Sequence, residues 1–217
     1  MVKLLYNTPL SVGVQAGRTA WQSFHKGGNY ETPTDDITKE DRDFLDRIAN
    51  KHKHHSVIEH LVYSFEISDI SRALLQEFSR HRIQSLTVKS TRYVMNKELK
   101  QEDEFTDFDN EYDFKRASKY LVWTGNRDVD ITSFFALEDL RDNVSKGISN
   151  DLVKYSLPES YKTSLVQTIN ARSLRNFLEL RTSKSALWEI RKLAFEMYEA
   201  IPDTHKFLFD IKDEKWL

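Results

Sequence analysis

The segment from Arg80 to Tyr93 carries a dense set of side chains that bind anions. It has no acidic residue, and its basic and hydroxyl-bearing members are Arg80, His81, Arg82, Ser85, Thr87, Lys89, Ser90, Thr91, Arg92 and Tyr93. Guanidinium groups bind phosphate through paired hydrogen bonds, so several in one short stretch indicate more than one phosphate, or a phosphate and a polar ring. The alternative is a basic surface strand that pairs with the acidic segment Glu98–Asp113, which we expect to be a solvated loop.

A second candidate segment runs from Asn170 to Arg181. On a helix, Arg172 and Asn176 are four residues apart and share one face, while Leu174 and Phe177 turn towards a core. An Asn/Arg face suits a polar ligand with rings and phosphates. The alternative is an ordinary amphipathic helix with a polar outer side.

Four histidines cluster near Glu59, at positions 52, 54, 55 and 60. Imidazoles beside a carboxylate are typical ligands of transition metals. No HExxH or comparable ligand spacing is present, however, and cations at the end of a predicted helix complement its dipole without a metal. We therefore expect no metal site, although a His/Glu metal hydrolase remains an alternative.

Several kinds of site are excluded by what the sequence lacks. None of the 217 residues is cysteine, which excludes disulfides, thiolate metal sites and cysteine nucleophiles. No Rossmann turn or P-loop is present to hold a dinucleotide. No G-x-S-x-G motif identifies Ser90 or another serine as an activated nucleophile.

Charge and hydropathy point to the cellular setting. The chain has 32 basic and 34 acidic residues, a net charge of −2, which argues against a general nucleic-acid-binding protein. No apolar run approaches the roughly 18 residues of a membrane span. We expect a cytoplasmic protein without membrane or nucleic-acid partners, folded as one domain over residues 1–217 because no linker is visible.

The segments that must position these residues alternate between strand and helix patterns. Strands are predicted at Val2–Tyr6, Leu61–Ile67 and Tyr161–Ile169, and a strand or extended loop at Ser85–Val94. Helices are predicted over Pro9–Ser23, after Thr38, over Ser71–Ser79, around Phe134–Ile148, and over Ala171–Leu180 and Ser185–Ile201. The order indicates an α+β fold.

The motifs themselves resemble those of a known family. Arg80-His81-Arg82, seven residues and Ser90, continued by T-R-Y, resembles the signature of the flavin-dependent thymidylate synthases (the ThyX family). The string N-A-R-S-L-x-N-F-L-x-L-R from Asn170 to Arg181 resembles its second core segment. His54-x-Ser56-x-x-Glu59-His60 resembles a third, and the resemblance extends from about Ser11 to Ile190.

This resemblance implies a complete activity. The family converts dUMP to dTMP, taking the methylene group from 5,10-methylenetetrahydrofolate and reducing equivalents from NADPH through bound FAD. It also implies an α+β fold with an antiparallel sheet flanked by long helices, the thymidylate synthase-complementing fold. The family assembles as a homotetramer with shared active sites.

By the same resemblance, residues of this chain receive roles. The dUMP site would contain Glu77, Phe78, Ser79, Arg80, Val88, Lys89, Ser90, Thr91, Arg92, Lys154 and Arg181. The FAD site would contain Ser56, Glu59, Arg80, His81, Arg82, Thr87, Val88, Asn170, Arg172 and Asn176, with His54 on the folate side. Arg181 would be the catalytic residue, stabilising charge on the uracil ring.

The chain departs from the family pattern at three positions. The family commonly has Asn where Thr87 stands, Arg where Lys154 stands, and often a flavin-contacting His where Ser185 stands. Lys keeps a positive charge but not a bidentate fork. We expect altered ligand affinities, and a non-catalytic nucleotide- or RNA-binding protein remains the alternative from another functional class.

Overall fold

The computed structural model describes residues 1–209, which divide into two compact units. The first unit contains Met1–Ile67, Phe78–Leu86 and the residues from Val166 onward. The second contains Ser68–Glu77 and Thr87–Leu165. No helix among residues 1–209 has both the length and the apolar content that crossing a bilayer requires.

Four strands form one antiparallel sheet in the order β1-β2-β4-β3. The strands are β1 (Val2–Asn7), β2 (Val62–Ser71), β3 (Gln84–Val88) and β4 (Lys162–Asn170). In the β1–β2 pair, Val2 lies opposite Ile67 and Leu4 opposite Phe65, with an irregularity between Leu4 and Tyr6. The predicted α+β fold with an antiparallel sheet is confirmed.

Helices account for most of the remaining regular structure. They are α1 (Leu10–Trp21), α2 (Lys39–Asp46), α3 (Arg72–Ser79), α4 (Thr91–Leu99), α5 (Glu111–Ala117), α6 (Arg127–Ser145), α7 (Asn150–Val153), α8 (Ala171–Arg181) and α9 (Trp188–Ala200). Helix α2 begins as predicted, because Thr38 Oγ1 accepts a hydrogen bond from Asp41 N at 3.2 Å.

Each unit has its own buried apolar residues. In the first unit, Leu45, Ile48, Leu61, Phe65 and Phe177 are fully buried. In the second, the apolar residues of α6 that predicted this helix are buried against residues of neighbouring elements. The buried cluster consists of Met95, Leu99, Phe105, Ala117, Leu121, Phe134, Leu137, Leu140, Val144, Val153 and Tyr161.

Two junctions between elements position the candidate site. Helix α3 ends at Ser79 and is followed by residues 80–83, after which β3 begins at Gln84. Strand β4 ends at Asn170 and passes directly into α8. Asn170 Oδ1 accepts a hydrogen bond from Ser173 N at 2.9 Å and so caps α8.

The prediction of an extended segment over Ser85–Val94 is wrong in its second half. Strand β3 ends at Val88, and α4 begins at Thr91 with Ser90 as its N-cap. The β-branched and aromatic residues favour a strand locally, but Met95 and Leu99 lie four residues apart and bury one face of α4. Tertiary burial therefore decides the conformation of this segment.

The prediction of a solvated acidic loop at Glu98–Asp113 is also wrong in part. Glu98 lies within α4, and Asp113 lies in α5 and is only 5% exposed. Glu102 is largely buried and accepts hydrogen bonds from Tyr120 Oη at 2.7 Å and Arg116 Nη1 at 3.2 Å. Arg116 and Tyr120, which satisfy Glu102, lie outside the acidic segment, so a charge count within the segment misses them.

A buried ion pair joins α1 and α2 in the first unit. Arg18 Nη2 lies 2.7 Å from Asp41 Oδ1, and both side chains are almost completely buried. Asp41 Oδ2 also accepts hydrogen bonds from Gly28 N and Tyr30 Oη, each at 2.8 Å. Gly28 has a φ of +82°, and a Cβ there would lie 2.8 Å from Arg18 Cγ, so both conformation and space favour glycine.

We expect Asp41→Asn to lower the free energy of unfolding by about 3–5 kcal/mol, because it leaves the buried Arg18 guanidinium without a charged partner. Chemical denaturation followed by tryptophan fluorescence measures this change. The matched control is Asp109→Asn, which breaks an exposed pair with Arg127 and should cost less than about 1 kcal/mol. Equal losses in the two variants would contradict the expectation.

Asp113 anchors the start of α5 in the second unit. Burial alone would raise the pKa of its carboxyl group, but hydrogen bonds from Arg116 and from the backbone N–H groups of Thr106 and Asp107 lower the pKa to about 2. Arg116 Nη2 lies 2.7 Å from Asp113 Oδ1, and Thr106 N lies 2.9 Å from Oδ2. The folded protein therefore favours the ionised form of Asp113.

This lowered pKa predicts the direction of a pH effect. The stabilisation from ionised Asp113 is fully present above the ordinary pKa of 3.8 and is lost as the pH falls towards about 2. The difference in unfolding free energy between the wild type and Asp113→Asn should thus shrink as the pH is lowered from 5 to 2. Urea denaturation at several pH values measures it, and a constant difference would show that Asp113 is not the titrating group.

Candidate active site

The residues that the sequence assigned to ligands divide between the two units. The first unit contains His54, Ser56, Glu59, Phe78, Ser79, Arg80, His81, Arg82, Asn170, Arg172, Asn176 and Arg181. The second contains Glu77, Thr87, Val88, Lys89, Ser90, Thr91, Arg92 and Lys154. Most of these side chains are exposed or half-buried, whereas Phe78 is fully buried.

The arginine-rich loop, residues 80–83, follows the C-terminal end of α3. Phe78 O accepts hydrogen bonds from His81 N at 3.2 Å and from Gln84 Nε2 at 2.9 Å. These donors satisfy a carbonyl group that the end of the helix leaves without an intrahelical partner. Arg80 and Arg82 are exposed, and His81 is half-buried.

Arg181, the last residue of α8, contacts the arginine-rich loop. Its Nε donates a hydrogen bond to His81 Nε2 at 3.0 Å. His81 Nε2 can accept only in the neutral ring that carries its proton on Nδ1. The His81 ring packs edge-on against Phe177, with centroids 5.0 Å apart, and Phe177 packs against Phe78 at 5.3 Å.

The contact between Arg181 and His81 joins the two motifs that the sequence analysis treated separately. The sequence predicted both residues as ligand-binding but gave no signal that one holds the other, since they lie 100 positions apart. The hydrogen bond constrains the direction of the Arg181 Nε–H group and so restricts the guanidinium group. A cation with a fixed orientation is what electrostatic stabilisation of a developing anion requires.

A second contact in the first unit connects α8 with the turn after Ser56. Arg172 Nη1 lies 2.6 Å from Glu59 Oε1, and both side chains are about half exposed. Asn176 is exposed one turn further along α8. Asn170 Oδ1 caps the helix, so the predicted flavin contact would use its amide NH2 group or the second lone pair of Oδ1.

Three of the four histidines line two cavities, His52 and His54 the first and His55 the second. His54 lines a cavity of about 320 Å³ and packs edge-on against Trp21 at 5.4 Å, beside Phe44 and Arg47. His55 lines another, of about 570 Å³, with Arg175 among its neighbours. Burial, and then the charge of Arg175, lower the pKa of His55.

No metal-binding arrangement is evident around the histidines in the part of the chain that the structure describes. Residues 1–209 contain no group of three or more His, Asp or Glu side chains that could hold a metal ion. Trp21 lies beside His54, yet the sequence analysis gave it no role, because a single aromatic residue at the end of a helix has no distinctive pattern.

In the second unit, the candidate phosphate-binding segment lies at the N-terminus of α4. Ser90 is the N-cap residue, its side chain makes no capping hydrogen bond, and no acidic residue occupies the first turn. The N–H groups and the dipole at such a helix end favour an anion. Lys154 is half-buried in the same unit, with its ammonium group 5.6 Å from the Tyr155 ring centroid.

The cations of this segment already have carboxylate partners. Lys89 Nζ lies 2.6 Å from Glu98 Oε1, and Arg92 Nε lies 2.5 Å from Asp151 Oδ1. The pair with Asp151 raises the pKa of Arg92. The pairing of basic residues with the acidic segment, which was the alternative to an anion site, is therefore present at Lys89 and Glu98.

Comparisons with known proteins agree with the motifs. The model of the family described as thymidylate synthase complementing protein matches residues 3–205. A flavin-dependent thymidylate synthase of Wolinella succinogenes is 54% identical over 213 residues, which is 98% of each chain. One from Helicobacter pylori is 47% identical over 204 residues, or 94% of each chain.

A solved structure has the same fold. The crystal structure of thymidylate synthase X from Helicobacter pylori with FAD and dUMP matches with a TM-score of 0.89 and 45% identity, over 97% of both chains. The residues matched by the family model, 3–205, include both motif segments. The chain therefore belongs to the flavin-dependent thymidylate synthase family.

Proposed function

We propose that this protein methylates dUMP to dTMP, with 5,10-methylenetetrahydrofolate as the carbon donor and NADPH as the reductant through bound FAD. Family membership supports this proposal, and so does the structure with FAD and dUMP from Helicobacter pylori. The observation that carries it is the hydrogen bond from Arg181 to His81, which joins the two motif segments in one unit. The proposed reaction would make the enzyme a methyltransferase with a flavin cofactor.

The exposed side chains of the first unit fit FAD. Arg80, Arg82 and Arg172 present guanidinium groups, which match the geometry and charge of a diphosphate. Glu59 orients the Arg172 group. We assign these residues to FAD together with Ser56, His81, Asn170 and Asn176, and bound FAD would supply the hydride-transfer chemistry. For Thr87 and Val88, which belong to the second unit, the proposal rests on the family resemblance alone.

The N-terminus of α4 fits the phosphate group of dUMP. Ser90 provides a hydroxyl group at the helix end, and the N–H groups of the first turn provide further donors. We assign Ser90 to phosphate binding rather than to nucleophilic attack, since no general base is evident beside it. The remaining residues of the proposed dUMP site are Glu77, Phe78, Ser79, Arg80, Val88, Lys89, Thr91, Arg92, Lys154 and Arg181.

Arg181 has the properties needed to activate the uracil ring. A thiolate cannot attack the ring, because the sequence contains no cysteine. A guanidinium group held in place by His81 instead stabilises negative charge as it develops on the ring. We place His54 on the folate side, where its cavity also contains Trp21 and Phe44.

The proposal also covers the oligomeric state and the cellular location of the protein. From the family resemblance we propose one functional domain over residues 1–217, a homotetramer with shared active sites, and a cytoplasmic location.

The purified protein tests the activity directly. We expect flavin absorbance, either as isolated or after addition of FAD, and dTMP formation that requires dUMP, NADPH and methylenetetrahydrofolate. Product chromatography with each component omitted in turn measures this requirement. Protein that takes up no FAD would refute the proposal, and tight dUMP binding without turnover would support the nucleotide-binding alternative.

We expect Arg181→Ala to retain FAD and to lower the rate of dTMP formation by at least about 100-fold, because it removes the charge that stabilises the anionic ring. Arg181→Lys should be intermediate, since it keeps the charge without the guanidinium fork. Arg127→Ala is the control, because Arg127 forms an exposed pair outside the proposed site. Wild-type turnover in Arg181→Ala would show that another group activates dUMP.

A further inference from the structure

A pair of glutamine side chains lies behind the arginine-rich loop in the first unit. Gln167, on β4, is fully buried, and Gln84 is the first residue of β3. Gln167 Nε2 donates a hydrogen bond to Gln84 Oε1. Gln84 Nε2 in turn donates to Phe78 O at 2.9 Å.

The orientation of both amide groups follows from the chemistry of their partners. A backbone carbonyl oxygen can only accept, so Gln84 must direct its NH2 group at Phe78 O. Its Oε1 is then the atom that faces β4, and Gln167 must present an NH2 group to it. The series of bonds therefore runs in one direction, from Gln167 through Gln84 to Phe78.

This arrangement is costly for a purely structural contact. Gln167 Oε1 is buried and has no hydrogen-bond partner among residues 1–209, and an unpaired buried acceptor is unfavourable. Two apolar side chains of similar shape would fill the same space without that penalty. The pair therefore adds little stability, and its distinctive effect is the directed hydrogen bond to Phe78 O.

The hydrogen bond from Gln84 to Phe78 O constrains the arginine-rich loop. This hydrogen bond bridges residues 79–83, because Gln84 follows these residues in the sequence and Phe78 precedes them. The same carbonyl accepts from His81 N. The bond thus closes the loop that carries Arg80, His81 and Arg82, and His81 accepts a hydrogen bond from Arg181.

We propose that Gln84, oriented by Gln167, is a positioning residue that fixes the arginine-rich loop for FAD binding and for the alignment of Arg181 through His81. This inference rests on the proposed function for its catalytic consequence. The conformation of the loop in the FAD-free protein does not depend on that function. The positioning role of Gln84 and the proposed function can therefore be tested separately.

The variants are Gln84→Met, Gln167→Met and the double variant, which keep chain length and remove the amides. The matched control is Thr168→Val, which removes the 2.9 Å hydrogen bond between Thr168 and Ser64 one position along the same strand without touching the loop. Four quantities are measured: thermal stability, backbone amide exchange of residues 80–83 without FAD, the Kd for FAD, and the kcat and KM for dUMP at saturating FAD.

We expect faster amide exchange of residues 80–83, a Kd for FAD raised about 10-fold, and a kcat lowered about 10- to 100-fold in the glutamine variants. The KM for dUMP should change less than about 3-fold. The double variant should be no worse than the more affected single variant, because the two glutamines act in series. Thr168→Val should match the wild type in exchange, Kd and kcat.

Other outcomes would overturn the inference. Unchanged loop exchange, Kd and kcat in a folded double variant would show that the amides position nothing. If the variants lose activity only in proportion to the loss of folded protein, and amide exchange of residues 80–83 is unchanged, the two glutamines have a structural role. If the wild type and Thr168→Val also fail to bind FAD, the proposed function is wrong, while the exchange data still decide whether Gln84 fixes the loop.

Discussion

The hydrogen bond from Arg181 Nε to His81 Nε2 forms only when several separate features of the chain are correct. Helix α3 must end at Ser79 so that the arginine-rich loop begins in the right place, and α8 must continue to Arg181. Phe177 must be buried against Phe78, since the His81 ring rests on it. The catalytic geometry that we propose is thus a consequence of aromatic packing between the ends of two helices.

The acidic residues of the chain have a definite structural use. Glu59, Glu98 and Asp151 each hold a basic side chain that the sequence marks as ligand-binding. An exposed ion pair contributes little to stability. At Arg172, the pair with Glu59 restricts the orientation of a long basic side chain before a ligand arrives, which lowers the entropy lost on binding. The small net charge of −2 is compatible with anion binding for this reason.

The sequence predicted those parts of the fold for which local patterns and burial agree. Helix α6 follows from its apolar stripe, and α2 from the cap at Thr38, because each pattern describes one element completely. The start of α4 was missed because its β-branched residues favour a strand, and only packing of Met95 and Leu99 selects the helix. The burial of Asp113 was missed because a count of charges does not show that its neighbours Arg116 and Thr106 N satisfy the carboxylate.

The same distinction applies to the site. The types of residue were available from the sequence, and the family motifs predict their assignments. The pairings were not: Arg181 with His81, Arg172 with Glu59, and Gln84 with Gln167 join residues between 83 and 113 positions apart. No local pattern records such contacts. They depend on the order of strands in the sheet and on the way α8 follows β4.

The ion pairs at the start of α4 have a consequence for ligand selectivity. Lys89 and Arg92 are already neutralised by Glu98 and Asp151, so at the proposed dUMP site a ligand has to exchange partners with a carboxylate. A phosphate monoester, which carries up to two negative charges, competes well with a single carboxylate. An uncharged nucleoside offers nothing in exchange. The site would thus bind deoxyuridine poorly because the salt bridges of Lys89 and Arg92 stay intact, and no group that repels deoxyuridine is needed.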